Sequence, residues 1–410
     1  MTELTYEKLR EAVAGGSVAL RSRTDLQPAD GPGGKVFPPT YAVNSGNKYA
    51  LEERQVGDRV VTTVLLDSVA SQANRAELSL RLGWEAGELK FPVPFVDFTS
   101  PDGEFDDVGK LTVLDAPHRI ADAIFRDSLL DGTLFRLSEI GRAITEAQPR
   151  NATAMFRHAP TALLFGQWDS TGPKGGLGSK FQRAYVSEIV GHDAVIGKKV
   201  GGRMDPLQIV AKSATIYEHQ DQGQQWTLNM DEAAKDESGK GKVKPRVKGD
   251  EGRPSEIIHG NIAPTIDADA GGITISRAVQ TTVVSLAALR KLSFPGHSRE
   301  AEVAARAAVA ALGVAAIAYL HEMDHDLRSR CLLIPEHALR LELVGRDGSA
   351  AEGVDISREG AAAILTEAAE STAAMGLAWE ADEIKLHPAP KLLKLLRRSR
   401  ELSARETPGE

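Results

Sequence analysis

The chain has 410 residues, 42% of them hydrophobic, a single cysteine (Cys331) and a formal net charge of -8. One cysteine excludes an internal disulfide framework and makes a reducing compartment, the cytoplasm, the expected location. The acidic balance excludes indiscriminate nucleic-acid binding but leaves room for a local basic groove.

In chain order, "MTELTYEKLREAV" predicts a short amphipathic helix without the apolar core of a signal peptide. The longest Ala-rich run, 307–320, is shorter than a bilayer span, so no membrane is expected among the partners. "SVALRSRT" reads as an alternating strand with Arg21 and Arg23 on one face, followed by a Gly/Pro-rich loop around Lys35. "RVVTTVLLD" is a buried strand running into a helix capped by Asp67 or Ser68, and such a helix start is a natural phosphate seat. Ser71, Gln72, Asn74 and Arg75 fall in its first turns, where the pattern predicts a polar, exposed face.

The stretch 163–191, "LLFGQWDSTGPKGGLGSKFQRAYVSEIVG", interleaves Gly172, Gly175, Gly176 and Gly178 with Lys174, Lys180 and Arg183. Glycines let backbone N–H groups approach an anion and the cations supply charge, which outlines a phosphate cradle. Neither a Walker A loop nor G-x-G-x-x-G fits the register, so nucleotide hydrolysis loses support. A plain glycine-rich hairpin between a buried strand and a helix is the competing reading. "GKKVGGRM" clusters Lys198, Lys199 and Arg203 as a finger-loop tip or a solvated hairpin. Residues 235–254 are almost free of apolar side chains and read as a mobile basic loop, an RNA contact or a solvated linker.

The last third predicts β-α-β-β-α-β over 273–390, the order of the ferredoxin-like, RNA-recognition palm, and hence an α+β fold class. Inside it, His321, Glu322 and His325 spell the His-Glu-x-x-His of zinc peptidases. Two histidines four apart can hold zinc only if the helix continues through both and a third ligand arrives. "DLRSRCLLIPE" turns to strand character at once, so His325 is expected in a turn, and both histidines read as surface residues at a helix C-terminus. No metal or cofactor is expected. His158 and His259 raise the alternative of ribonuclease chemistry, although a lone histidine more often satisfies a local hydrogen bond.

"PPTY", "YALEER", "LLDSVASQANR", the glycine-rich block, "SEIIHGNIAP" and "QTTVVSLAALRKLSFP" together resemble the backbone subunit of type I-U (I-G) CRISPR surveillance complexes, of the repeat-associated mysterious protein superfamily. The resemblance implies a hand-like subunit: a ferredoxin-like, RRM-like palm with inserted finger and thumb segments in one elaborated domain over 1–400. In it, 228–258 would be a mobile basic insertion, 273–390 the palm and 401–410 a tail. It implies no enzymatic activity, and copies that polymerise head-to-tail along one guide RNA beside the paired target DNA strand. Further implied partners are a large subunit, a guide-end-capping subunit and, indirectly, an effector helicase-nuclease. A guide holder grips phosphates and 2′-hydroxyls while leaving base edges free. The expected RNA contacts are Arg21, Arg23 and Lys35; Ser68, Ser71, Gln72, Asn74 and Arg75; Lys174, Gly175, Gly176, Lys180 and Arg183; Lys198 and Lys199; and His259 with Asn261. A guide-processing endoribonuclease is the alternative, with a zinc hydrolase behind it.

Overall fold

The computed structural model describes residues 2–44, 46–100, 102–170, 178–210, 213–236, 239–243 and 252–406. The fold class is α+β, and the chain divides into two compact units. The first comprises Met1–Ala42, Tyr49–Val195 and Ile273–Lys394; the second comprises Val43–Lys48, Ile196–Gly272 and Leu395–Glu410.

The first unit is built on one large sheet. Its principal elements are β1 (Ser17–Pro28), β2 (Leu51–Val56), β3 (Arg59–Asp67), α1 (Val69–Glu85), β4 (Tyr185–His192), β5 (Arg277–Ser285), α2 (Arg299–Glu322), β6 (Leu341–Gly345) and α3 (Arg358–Ala374). From Glu352–Asp355 the strands run β6, β1, β5, β4, β3, β2. In chain order β1, α1, β4, β5, α2 and β6 make a β-α-β-β-α-β path. Its strands lie β6-β1-β5-β4 with every neighbouring pair antiparallel.

Alternation along these strands builds the core. Leu20, Ser22, Thr24 and Leu26 of β1 are buried and stand opposite Val284, Thr282, Gln280 and Ala278 of β5. Tyr185, Ser187 and Ile189 of β4 continue the same layer. Period two carries the intervening residues, Arg21 and Arg23 among them, to the opposite face. The helix α2 is buried nearly all round, from Ala301 to Leu320. By length and composition its 24 residues could cross a membrane, although the Ala-rich run read as too short. However, 89% of the apolar window is buried inside the protein, which makes it a central core helix. Small residues let its neighbours close in: a Cβ on Gly83 of α1 would lie 2.6 Å from the Tyr319 ring, and one on Gly313 would lie 3.0 Å from Val284. Ser68, Ser298 and Ser357 cap α1, α2 and α3 by accepting backbone N–H bonds at 3.3, 3.2 and 3.0 Å.

Three expectations are corrected. The strand Lys385–Pro388 leaves the large sheet and pairs with Phe95–Asp97 and Ser128–Leu130 in a smaller five-stranded sheet. The 273–390 segment therefore does not close on itself, because β1, far upstream, lies between β5 and β6. "DLRSRCLLIP" is a hairpin of His325–Arg328 and Cys331–Pro335 turning at Arg330, whose φ is 62°. A helix, Pro390–Glu406, runs through most of the expected tail.

In the second unit, Lys199–Arg203 pairs with Ile262–Asp267, and Tyr217–Glu218 pairs with Trp226–Thr227. The described part of the expected mobile loop is hydrogen-bonded: Ala234 N–H donates to Glu218 O at 2.8 Å and Lys242 N–H to Ala234 O at 2.7 Å. Residues 244–251 lie outside the described residues.

Candidate nucleic-acid interface

The face of the large sheet opposite the helices carries a cationic stripe. Arg21 Nε donates to Glu342 Oε2 of the adjacent β6 at 2.6 Å. Arg23, two residues on, is exposed and has no carboxylate partner among the described residues. It stands opposite Thr281 of β5, which stands opposite Glu188 of β4. Glu188 accepts two bonds from Arg54 of β2, at 2.6 and 3.3 Å. Burial, together with Arg277, Arg23 and Arg54, lowers the pKa of His192 at the end of β4 against the opposing pull of Asp193, so this imidazole is neutral at neutral pH. The carboxylates here are spent on Arg21, on Arg54 and, for Asp25 on the same face of β1, on Arg277 at 3.9 Å, and Arg23 makes no ion pair among the described residues.

The start of α1 is corrected. Gln72 is buried: its Nε2 donates to Asp67 Oδ2 at 2.7 Å, and its Oε1 accepts from Ser187 Oγ at 2.9 Å and Gln280 Nε2 at 2.8 Å. Arg75 donates to Asp67 Oδ2 at 2.9 Å and to Leu327 O at 2.6 Å, while Arg328 reaches Asp67 Oδ1 at 3.2 Å. A fully buried carboxylate beside the first turn has gathered the amide and both guanidiniums, because a buried charge must be paired. Gln72 and Arg75 therefore brace the sheet against α1 from within. Ser68 is the cap, Ser71 is half-buried, and only Asn74 is exposed.

The same polar layer explains the His-Glu-x-x-His spelling. The α2 helix ends at Glu322, with His321 in its last turn, and His325 opens the next strand. The expected surface His325 is in fact buried, with Nε2 3.2 Å from Gln280 Oε1. Burial, reinforced by His321 and Arg75 against the pull of Asp324, pushes its pKa down to about 4. Glu322 pairs with Arg358 at 3.4 Å. The two histidines do not share a helical face, and among the described residues no group of three His, Cys, Asp or Glu could hold a metal.

The glycine-rich block divides. Gly172, Lys174, Gly175 and Gly176 lie outside the described residues. The flanks are reversed from expectation: Thr161–Phe165 is a short helix and the Tyr185–His192 side is the strand β4. A brief apolar run such as "TALLF" fits either state, and packing against α2 decides. Between them Gln167–Trp168 pairs with Lys180–Phe181, placing Lys180 Nζ 5.3 Å from the Trp168 ring centroid. Lys180, Arg183, Trp168, Arg119, Arg126 and His118 line a cavity of about 580 Å³. Arg119 is held by Glu77 at 2.6 and 3.0 Å and by Gly166 O at 3.0 Å. Burial pushes the Glu77 carboxyl up to about 7, against the pull of Arg119 and Arg183. Gly166 has a φ of 81°, and a Cβ there would lie 2.8 Å from Arg183 N, so glycine is required under this wall. Sequence reasoning missed Trp168; its signal was an aromatic beside a glycine-cation run.

Lys35 sits on Lys35–Val36, paired with Ile273–Thr274, and is half-buried. In the second unit, Lys198 is exposed and Lys199 pairs with Asp267 at 3.2 Å. Arg203 donates to His259 O at 2.8 Å and Gly260 O at 3.1 Å, and Asn261 Oδ1 accepts from Asp205 N–H at 2.7 Å. The expected basic cluster and the expected His259–Asn261 contact thus meet around Asp205. The backbone N–H groups of Gly260 and Leu207 hold that carboxyl below the usual range. His158, in the first unit, is half-buried with its pKa lowered by burial.

No curated protein matches the chain. Residues 20–196 match the family model described as CRISPR-associated protein GSU0053 (Cas_GSU0053). That span, less than half of the chain, holds most of β1, all of α1 and β4, and the paired strands that carry Trp168 and Lys180.

Proposed function

We propose that the chain is a non-catalytic backbone subunit of a type I-U CRISPR complex, gripping guide RNA through its phosphates and assembling head-to-tail along it. The observation that carries this reading is Arg23, exposed and without an ion pair among the described residues on the face of the β6-β1-β5-β4 sheet away from α1 and α2, and itself within the span 20–196 that matches a CRISPR-associated family. That strand order, with two crossover helices on one face, is the order of the ferredoxin-like palm of RNA-recognition folds. Cations, amides and backbone N–H groups bind phosphate without reading bases, as a holder of paired guide must. The partners are then guide RNA, the paired target DNA strand, further copies of the chain, a large subunit and a guide-end-capping subunit, with an effector helicase-nuclease engaged indirectly. The compartment is the cytoplasm. Exposed Val200 and Ile266, cross-strand neighbours in the second unit, support a role in assembly.

Mass measurement of complexes formed on a ladder of single-stranded RNA lengths tests the proposal. The number of bound copies is expected to rise stepwise with length, with the RNA recovered intact. A constant stoichiometry returns the protein to ordinary RNA-binding modules, and cut RNA favours the guide-processing endoribonuclease.

A further inference from the structure

Trp168 is the most exposed of the four tryptophans, at 55%, yet its support is rigid. Gln167 and Asp169 on either side are buried, and Asp169 is tied to Arg136 at 2.6 Å. The indole is therefore presented at the edge of the 580 Å³ cavity by a strand anchored on both sides. Within that cavity most charges cancel: Arg119 is paired with Glu77, and Arg126 with Asp127 at 2.6 Å. Lys180 and Arg183 form no ion pair among the described residues, although Arg183 acts at longer range on Glu77. Gln167, 7% exposed, lines the same cavity, and its Oε1 is buried without a hydrogen-bond donor. Among the described residues with a buried, unpartnered side-chain atom, Gln167 alone lines this cavity, where a ligand N–H supplies the missing donor.

We propose that this cavity is a nucleobase slot: one unstacked base of single-stranded RNA lies on the Trp168 indole, its edge donates to Gln167, and its flanking phosphate meets Lys180 and Arg183. The volume lies within the range of small-ligand pockets. An aromatic platform beside exposed cations is the combination by which single strands are held without sequence readout. The slot rests on the RNA-binding reading above and adds to it a stacking contact that duplex RNA, with its bases enclosed, cannot make.

The test uses the full chain and one short RNA carrying 2-aminopurine, free and annealed to its complement, across a salt series. Trp168→Ala is expected to weaken single-strand binding by about tenfold, with the salt slope unchanged and the quenching of 2-aminopurine lost. Trp168→Phe, which keeps a ring, stays close to wild type. Lys180→Ala and Arg183→Ala instead reduce the magnitude of the slope by about 0.7 each. Wild type that binds no RNA overturns the RNA reading and the slot together. Wild type that binds, with Trp168→Ala equal to it or weakened equally on duplex, overturns the slot alone.

Discussion

At the scale of single residues, the two arginines of β1 separate a spent charge from an available one. Arg21 already carries Glu342, whereas Arg23 meets no carboxylate among the described residues. Each phosphate contact to a single strand contributes about 0.7 to the salt slope. Arg23→Ala is therefore expected to lower the slope by about 0.7, and Arg21→Ala by less, in titrations of one RNA across salt concentrations. Equal losses would mean that RNA displaces Glu342. His325 gives a second prediction. Its unfolded imidazole titrates near 6.5 and its folded one at about 4. The folded value is depressed, so between these pH values the unfolded chain binds more protons. The stability from this residue is complete above 6.5 and falls as pH drops toward 4, by up to about 3 kcal/mol. The difference between wild-type and His325→Gln urea-unfolding curves across that window isolates the term, and His325→Gln should show the shallower pH dependence.

At the scale of elements, the crossing of α1 over α2 depends on what is missing from Gly83. Alanine would normally favour a helix over glycine by about 1 kcal/mol. Here its Cβ would enter the Tyr319 ring at 2.6 Å. That ring cannot swing aside cheaply, since its hydroxyl bonds Glu88 at 2.9 Å and Arg358 lies 4.4 Å from its centroid. Overpacking costs about 1–3 kcal/mol and outweighs the propensity gain. Gly83→Ala should therefore lower the thermal midpoint, measured by circular dichroism, while Gly87→Ala offers no matching clash, only the strain of a φ of 74°.

At the scale of the whole molecule, the proposed function asks a chain of net charge -8 to hold a polyanion. Few phosphate contacts at physiological salt make a single copy a weak binder. In the proposed assembly a second copy touches both the RNA and the first copy, so affinity per copy rises with occupancy. Contact between unlike surfaces of neighbouring copies does not close, and extends as a filament. On the RNA-length ladder this predicts a sigmoidal filling of each added step, and independent filling would remove the assembly role while leaving RNA binding intact.

What the sequence determined by itself was local. Alternation in "SVALRSRT" put Arg21 and Arg23 on one face, the cap was legible as Asp67 or Ser68, and the break after "HEM" ended α2 before His325. These are signals with periods of two or four residues, carried by neighbours along the chain. Tertiary structure decided the rest, because it joins residues that share no local pattern. It placed β1 between β5 and β6 and sent Lys385–Pro388 to another sheet. It also buried Gln72 and drew the half-buried Arg75 onto Asp67, although a polar residue in a first turn reads as exposed until the strand hairpin that covers it is known. The cavity beside Trp168 likewise draws its wall from Arg119 and Arg126, brought there by folding, and no spacing within "FGQWDSTG" encodes that meeting.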